Sequence, residues 1–218
     1  IAENKHKIKT RVNRTQTGLE QGTPIVKALL GLGRVNENEL KPCDIADILH
    51  QTRKLLGDRF ADSIQLHVEV GPGLPRVVCS QQVVQQMLLN LVLNAAEAMG
   101  NEGVVELSGR QVRTLSREVV LEPAESDSYS LLSVTDQGGG ISDENLPRIF
   151  EPFFTTKGFS SRRGTGLGLS MVYELAKGLG YGVAVETKVG EGSTFSIILP
   201  MNPLPSNDLK NGYSLSQK

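Results

Sequence analysis

The stretch QQVVQQMLLNLVLNAAEAM, residues 81–99, constrains the fold more than any other part of the chain. Apolar residues recur in it at helical spacing, and Ser80 precedes it at the position of an N-cap. The expected apolar face consists of Val84, Met87, Leu88, Leu91 and Val92. Because a helix with one apolar stripe must bury that stripe against another element, a second layer has to cover it.

Strand-like stretches are expected to form that second layer. They are SIQLHVEV (63–70), GVVELSGRQVR (103–113), YSLLSVTD (129–136), YGVAVET (181–187) and STFSIILP (193–200). Two more helices are predicted, one over IADILHQTRKLL (45–56) after the capping residue Asp44, and one within RRGTGLGLSMVYELAKGLG (162–180). We therefore predict an α+β fold, a two-layer α/β sandwich in which helices pack on one face of a mixed sheet.

The first part of the chain has a pattern of its own. Between residues 8 and 33, apolar or small residues fall alternately four and three apart, which favours a helical hairpin or a dimer seam over a short surface helix. A polar linker, VNENELKP (35–42), follows. We predict a helical segment with linker at 1–40, a second domain at 41–200 and a disordered polar tail at 201–218.

Charge and cysteine content exclude several function classes. With 23 basic and 24 acidic residues, the net charge of −1 gives no global attraction to nucleic acid or to an anionic membrane. Cys43 and Cys79 lack a CxxC pattern or a His/Cys cluster, which argues against a disulfide framework or a zinc site and suits a cytoplasmic setting. No apolar run approaches the roughly 20 residues of a membrane span. We expect a soluble fragment without membrane contact, cut from a longer protein because it begins at Ile1, and that longer protein is free to be membrane-anchored.

Asn90 and Asn94 are the first candidate functional residues. They lie four residues apart on the predicted helix and so share a face. A buried amide needs partners, and its carbonyl oxygen suits Mg²⁺. The alternative for either residue is that its amide only satisfies neighbouring backbone groups.

Two glycine-rich stretches follow along the chain. VTDQGGGIS (134–142) brings Asp136 to the end of a strand, where its carboxylate can accept from an exocyclic amine while the glycines admit a flat base; a tight turn is the alternative. RRGTGLGLS (162–170) leads into a helix although glycine there costs about 1 kcal/mol relative to alanine. Its backbone N–H groups and positive helix end suit an anion, and tight packing is the alternative. No GK[ST] follows, so it is not a P-loop.

The stretch FEPFFTTKGFSSRR, residues 150–163, has the composition of a lid. Aromatic anchors (Phe150, Phe153, Phe154) precede a Gly/Ser segment with three cations (Lys157, Arg162, Arg163). Such cations neutralise the charge of a triphosphate when a lid closes over it. An ordinary basic surface loop is the alternative.

Taken in order, these stretches resemble the motif boxes of the GHKL ATP-binding superfamily, and specifically the catalytic domain of sensor histidine kinases. The matching segments are LLNLVLNAAEAM, DQGGGI, IFEPFFTTK, GTGLGLS and GEGSTF. NAAEAM and EPFFTTK are the spellings usual in the nitrogen-regulation type. The resemblance covers about residues 41–200, and it implies the GHKL or Bergerat version of the two-layer sandwich.

The resemblance implies a role for each matching residue. Asn94 is the expected Mg²⁺ ligand, and Asn90 faces the nucleotide one turn earlier. Asp136 is expected to bind the adenine amino group, with Gly138 and Gly140 shaping the base pocket. The implied cofactors are ATP and Mg²⁺.

The phosphates are expected to lie against the second glycine stretch. Its residues are Gly164, Thr165, Gly166, Leu167 and Gly168. Gly164 and Gly166 are expected to expose backbone N–H groups, and Gly168 to let the helix close against the sheet. The lid cations Lys157, Arg162 and Arg163 are expected to touch the phosphates, which makes Lys157 a candidate catalytic residue beside Asn90 and Asn94. In the last box either Ser193 or Thr194 is expected on the adenine side; the residues do not decide between them, and Thr194 is taken as the candidate.

The first 40 residues resemble the second helix of the dimerisation and histidine-phosphotransfer hairpin. The phosphoacceptor motif is absent, because His6 is followed by KIK, His50 by QTR and His67 by VEV, and all three are expected at the surface. We expect the acceptor helix upstream. The implied partners are that hairpin, a response-regulator receiver domain, and a second copy in a full-length homodimer.

A histidine kinase is favoured over a hydrolase. ATPases of the superfamily place a glutamate one turn before the Mg²⁺-binding asparagine, where this chain has Asn90. Without a base there, water is poorly activated and the γ-phosphoryl is kept for another nucleophile. Glu97 is a weaker candidate base one turn beyond Asn94. The alternatives are a degenerate kinase acting as a nucleotide-gated binding module, and an anti-sigma-type serine kinase.

Overall fold

The computed structural model describes residues 40–60, 63–115, 118–156 and 166–201. The chain divides into two units, Ile1–Val35 and Asn36–Lys218, and every described residue belongs to the second. The predicted seam at 8–33 and the predicted tail from residue 202 onward therefore lie outside the described residues.

The described residues form strands, three α-helices and one 3₁₀ turn at Leu146–Arg148. The strands are β1 (Lys41–Cys43), β2 (Ile64–Val70), β3 (Val77–Cys79), β4 (Gly103–Val112), β5 (Val119–Leu121), β6 (Tyr129–Asp136), β7 (Gly182–Lys188) and β8 (Gly192–Pro200). The helices are α1 (Ile45–Phe60), α2 (Gln81–Ala98) and α3 (Gly168–Gly178).

Six of the strands form one mixed sheet in the order β2-β4-β6-β8-β7-β5. The β2–β4 pair is parallel and the other pairs are antiparallel. The helices pack against this sheet, so the predicted α+β fold with a mixed sheet is confirmed. β1 and β3 form a separate antiparallel pair.

The helix starts show one predicted cap and one that differs. Asp44 caps α1, because its Oδ1 accepts the N–H groups of Ala46 at 2.9 Å and Asp47 at 3.3 Å. Ser80 occupies the N-cap position of α2 with an extended backbone, but its side chain makes no capping hydrogen bond. Its carbonyl accepts the Val84 N–H at 3.0 Å, so only the backbone of Ser80 marks the helix start.

The predicted apolar face of α2 is buried as expected. Val84, Met87, Leu88, Leu91 and Val92 are each at most 1% exposed. The sheet meets this face with fully buried side chains, among them Leu107, Leu132 and Ile197. Burying a large apolar side chain contributes about 1.5–3 kcal/mol, so this contact fixes α2 against the sheet.

Three strands escaped prediction: β1, β3 and β5, which have three residues each. Such short segments hold too few residues for an alternating pattern to emerge. β1 and β3 bring Cys43 and Cys79 close together, and both thiols are buried and free. Burial raises the pKa of the Cys79 thiol, which disfavours its reactive thiolate form.

The opposite face of the sheet carries a smaller apolar cluster of Leu131, Ala184 and Ile198. Beside it, hydroxyl groups pair across the strands, with Ser133 bonded to Ser196 at 2.7 Å. Within the described ranges, none of the helices combines the length and apolarity of a membrane span.

Candidate functional site

A cavity of about 480 Å³ opens between α2, the end of β6, the start of β8 and the N-terminal end of α3. Its lining combines polar groups with apolar side chains such as Leu93, Ile141 and Phe195. A concave, partly apolar site with a few convergent polar groups is the usual form of a small-molecule pocket.

The α2 wall of the cavity presents Asn90, Asn94 and Glu97. Their spacing places them on one helical face, as predicted for the two asparagines. The amide nitrogen of Asn90 donates to the sulfur of Met171 on α3 at 3.2 Å. This contact ties the Asn90 amide to the helix whose first turn forms the opposite wall.

Asp136 lines the cavity and is only 3% exposed. Its Oδ1 accepts the Gly138 N–H at 2.8 Å. Burial raises the pKa of the Asp136 carboxyl, and hydrogen bonds from the backbone of Gly138 and Ser193 oppose that rise. A carboxylate held this way, at the end of a strand beside an apolar wall, is a directed hydrogen-bond acceptor.

Two of the three glycines after Asp136 are required by close packing. A Cβ on Gly138 would lie 2.8 Å from the Ala98 carbonyl oxygen on α2. Gly140 has φ +67, and a Cβ there would lie 2.1 Å from the Lys188 carbonyl oxygen at the end of β7. Gly140 lines the cavity, and Gly139 does so in place of Gly138.

The second glycine stretch is described from Gly166 onward, and Gly166 lines the cavity. Gly166 has φ +66, and a Cβ on it would lie 2.5 Å from the Phe153 carbonyl carbon. Its carbonyl oxygen accepts the Phe153 N–H at 2.9 Å. Gly166 therefore has a packing requirement as well as a place in the cavity wall, and its N–H contact with phosphate stays a prediction.

Gly168, in contrast, has open space around the position of a Cβ. No described atom lies within 4 Å of a Cβ built on it, and it lines the cavity together with Leu169. The expectation that Gly168 lets the helix close against the sheet is therefore wrong. Leu167 is the N-cap residue of α3 and is not among the lining residues. The first intrahelical bond runs from the Met171 N–H to the Leu167 carbonyl, so the N–H groups of the first turn point out of the helix end beside the cavity.

Ser193, and not Thr194, lines the cavity. Thr194 pairs with Thr135 on the opposite face of the sheet, where their hydroxyl oxygens are 3.0 Å apart. The choice of Thr194 as the candidate is thus corrected. The alternation of β8 contained the signal, because Ser193 shares its face with the buried Phe195 and Ile197.

Thr187 on β7 is a residue that the sequence reasoning missed. Its Oγ1 accepts the Ile141 N–H at 2.9 Å and lies 2.9 Å from the Ser193 Oγ. No motif marked it, because its partners come from a loop and a strand distant in sequence.

The segment before the second glycine stretch is described as far as Thr156. Phe154, Thr155 and Thr156 line the cavity, and the Arg148 guanidinium stacks 4.5 Å from the centre of the Phe154 ring. Phe150 contacts Tyr173 of α3 with ring centres 5.4 Å apart. These contacts support the predicted aromatic anchoring, whereas Phe153 is 49% exposed.

Five predicted site residues lie outside the described residues. They are Lys157, Arg162, Arg163, Gly164 and Thr165. Within the described part of the chain, no group of three or more His, Cys, Asp or Glu side chains is placed to hold a metal ion.

Comparison with known proteins finds a family model, curated relatives and solved structures that match the chain. The family model described as "Histidine kinase-, DNA gyrase B-, and HSP90-like ATPase" matches residues 79–203. The chain is 34% identical over 177 residues to the sensor kinase CckA of Brucella abortus, which covers 81% of the chain and 18% of that protein. It is 33% identical over 179 residues to the sensor histidine kinase ZraS of Escherichia coli, covering 82% of the chain and 35% of that protein. The chain thus spans only a minor part of these curated relatives.

Solved structures give the same result. Full-length ShkA in complex with AMPPNP has a TM-score of 0.63 at 28% identity, covering 81% of this chain and 34% of that one. The catalytic domain of the histidine kinase ThkA has a TM-score of 0.59 at 25% identity, covering 75% of this chain and 98% of that one.

Proposed function

Because the chain belongs to the family of histidine kinase-, DNA gyrase B- and HSP90-like ATPases and contains an ATP-binding catalytic domain of the sensor histidine kinase type, we propose that it binds Mg·ATP in the cavity and donates the γ-phosphoryl group to a histidine outside this chain. A response-regulator aspartate then takes the group from that histidine. The observation that carries the proposal is the convergence of Asn94, Asp136 and the first turn of α3 on one cavity.

The end of the cavity at Asp136 suits adenine. The buried Asp136 carboxylate accepts hydrogen bonds, and the exocyclic amine of adenine donates them. The apolar lining residues Ile141 and Phe195 provide apolar surface for a flat ring. Gly139 and Gly140 keep side chains out of this end, which leaves room for the ring to approach the backbone.

The other end of the cavity suits phosphates. The first turn of α3 offers N–H groups without intrahelical partners and the positive end of the helix dipole. Gly166 and Gly168 line this end, and Gly168 presents its backbone without a side chain. We assign the masking of phosphate charge to this turn and to the lid cations Lys157, Arg162 and Arg163.

The donor set fits Mg²⁺. Asn94 lines the cavity with an amide whose carbonyl oxygen is a hard ligand, and Mg²⁺ in nucleotide sites uses few protein ligands and completes its shell with water and phosphate oxygens. A carboxylate cluster is therefore not required. When bound, the ion supplies charge neutralisation on the phosphate oxygens, while the chain's own residues hold the nucleotide in place.

Transfer to a histidine is favoured over hydrolysis by the residue one turn before Asn94. Asn90 has an amide, which cannot take a proton from water, and its nitrogen is already bonded to Met171. Glu97 lines the same cavity, and this observation keeps ATP hydrolysis as the second candidate function.

Phosphotransfer to a supplied hairpin domain tests the proposal. The whole chain is incubated with Mg·[γ-³²P]ATP and the histidine-containing hairpin of the full-length protein. We expect label on the hairpin that is lost in acid, since phosphohistidine is acid-labile, and we expect Asn94→Ala to abolish it. Gln82→Ala, an exposed substitution on the same helix, should retain labelling.

The other outcomes are equally informative. Release of labelled inorganic phosphate without labelled hairpin, suppressed by Glu97→Gln, would identify a hydrolase and contradict the proposal. Acid-stable label would indicate a serine kinase. Binding of ATP with neither product would indicate a nucleotide-gated binding module.

A further inference from the structure

Thr187, on β7, contacts three parts of the site proposed for adenine. Thr187 and Ser193 are cross-strand partners in the β7–β8 hairpin, so their side chains lie on the same face of the sheet. The Thr187 Oγ1 is 2.9 Å from the Ser193 Oγ and 3.2 Å from the Gly192 carbonyl oxygen. It also accepts the Ile141 N–H at 2.9 Å, from the loop that follows Asp136.

These contacts limit the groups to which the hydroxyls of Thr187 and Ser193 can donate a hydrogen bond. A hydroxyl has one proton to donate and two acceptor sites, and one acceptor site of Thr187 is used by the Ile141 N–H. If Thr187 donates to the Gly192 carbonyl, Ser193 must donate back to Thr187 to keep their contact. The Ser193 contact is the shorter of the two, 2.9 Å against 3.2 Å, which favours donation from Thr187 to Ser193 and leaves the Ser193 proton available to a ligand in the cavity.

The same residue fixes the loop against the hairpin. The Gly190 N–H donates to the Gly139 carbonyl at 2.9 Å, and Gly140 approaches Lys188 so closely that no side chain fits between them. The Ile141–Thr187 bond is the side-chain member of this connection. Asp136 and Ser193 are themselves cross-strand partners in the β6–β8 pair, so Thr187 acts on the direction of the Ser193 hydroxyl and on the loop after Asp136, and not on the separation of the two strands.

We infer that Thr187 is a positioning residue for purine recognition, which presents the Ser193 hydroxyl as a donor beside the Asp136 acceptor. This inference rests on the proposed binding of ATP. Adenine carries a donor, its amine, next to an acceptor, its ring N1, and therefore needs an acceptor and a donor side by side. Guanine carries the reverse pair, a carbonyl oxygen next to a ring N–H, and this arrangement rejects it.

Binding measurements on the whole chain test the inference. Dissociation constants for Mg·ATP and Mg·GTP are measured by calorimetry for the wild type, Thr187→Val and Thr187→Ser. Valine keeps the shape but removes the hydroxyl, whereas serine restores it. Thr135→Val is the matched control, because it removes a paired hydroxyl from the opposite face of the same sheet.

The expected result is selective. Thr187→Val should weaken ATP binding about fivefold, the usual effect of losing one neutral hydrogen bond, and lower the ratio of ATP to GTP affinity by a similar factor. Thr187→Ser should restore both quantities, and Thr135→Val should leave both unchanged.

Two results would overturn the inference while leaving the proposed function intact. The first is wild-type affinity for ATP in Thr187→Val. The second is an equal loss of ATP and GTP affinity, which indicates a purely structural role. Failure of the wild-type chain to bind Mg·ATP would instead refute the proposed function, and this inference with it.

Discussion

Replacing Asp136 by asparagine separates the contribution of this residue to binding from its contribution to stability. The substitution keeps the shape of the side chain and an oxygen that can accept the Gly138 N–H, now 2.8 Å from Oδ1. It removes the negative charge and replaces an acceptor with an NH₂ donor. In the proposed site that donor faces the donating amine of adenine.

The magnitude for binding follows from the kind of hydrogen bond that is lost. A hydrogen bond to an ionised group contributes about 1.5–3 kcal/mol, and each 1.4 kcal/mol is a factor of ten in affinity. Asp136→Asn should therefore weaken ATP binding about 10- to 150-fold.

The effect on stability has the opposite sign. Because burial holds the pKa of Asp136 above its ordinary value of 3.8, the folded state binds this proton more tightly than the unfolded state does. The stability from this shift is fully present below pH 3.8 and is lost as pH rises through the folded-state pKa. Above the folded-state pKa the wild type has lost that contribution, so at such pH the neutral asparagine should leave the free energy of unfolding equal to or higher than that of the wild type.

The assay combines calorimetric ATP titration with urea denaturation at several pH values. Glu186→Gln is the matched control: it makes the same change in charge at an exposed position on β7, on the face away from the cavity, and should alter neither quantity. Wild-type ATP affinity in Asp136→Asn would refute the assignment of Asp136 to the base. A loss of both affinity and stability would show that the carboxylate is a structural group.

Two glycine pairs give further predictions. Gly168→Ala should raise the free energy of unfolding by up to about 1 kcal/mol, since alanine favours helix. It should also weaken ATP binding, because Gly168 lines the cavity and the position of its Cβ is open. Thermal melts and calorimetric titration measure the two quantities, and parallel losses would contradict the phosphate assignment. Gly166→Ala should lower stability, because the Cβ meets the Phe153 backbone at 2.5 Å and φ is +66. Gly140→Ala should lower the free energy of unfolding, measured by urea denaturation, by at least about 2 kcal/mol, because it adds left-handed strain and a backbone clash. Gly139→Ala, whose Cβ would have no described atom within 4 Å, should lower it by less than half of that. Equal losses would show that the clash is relieved.

The parts of the fold that were predictable are those with repeated local patterns. α2 was predicted from helical spacing over 81–99 and spans Gln81–Ala98. β6 and β8 were predicted from their apolar strand character and their turns. β1, β3 and β5 could not be found this way, because their pairing partners, and not their own three residues, define them as strands.

The candidate site shows the same division. The shared face of Asn90 and Asn94 follows from helix geometry alone, and both line the cavity. The packing requirement falls on Gly166 and not on Gly168, because the contact that decides it comes from Phe153, in another segment. The sequence alone did not mark Thr187, since its contacts form only when β7, β8 and the loop after Asp136 come together in the fold.

The central claim is that one cavity holds the base at Asp136 and the phosphates at the start of α3. A crystal structure of the whole chain with Mg²⁺ and AMP-PNP tests it most directly. The account predicts the adenine amine within about 3.2 Å of the Asp136 carboxylate, and the phosphates beside Asn94 and the first turn of α3. A nucleotide bound with its base away from Asp136, or outside this cavity, would contradict it.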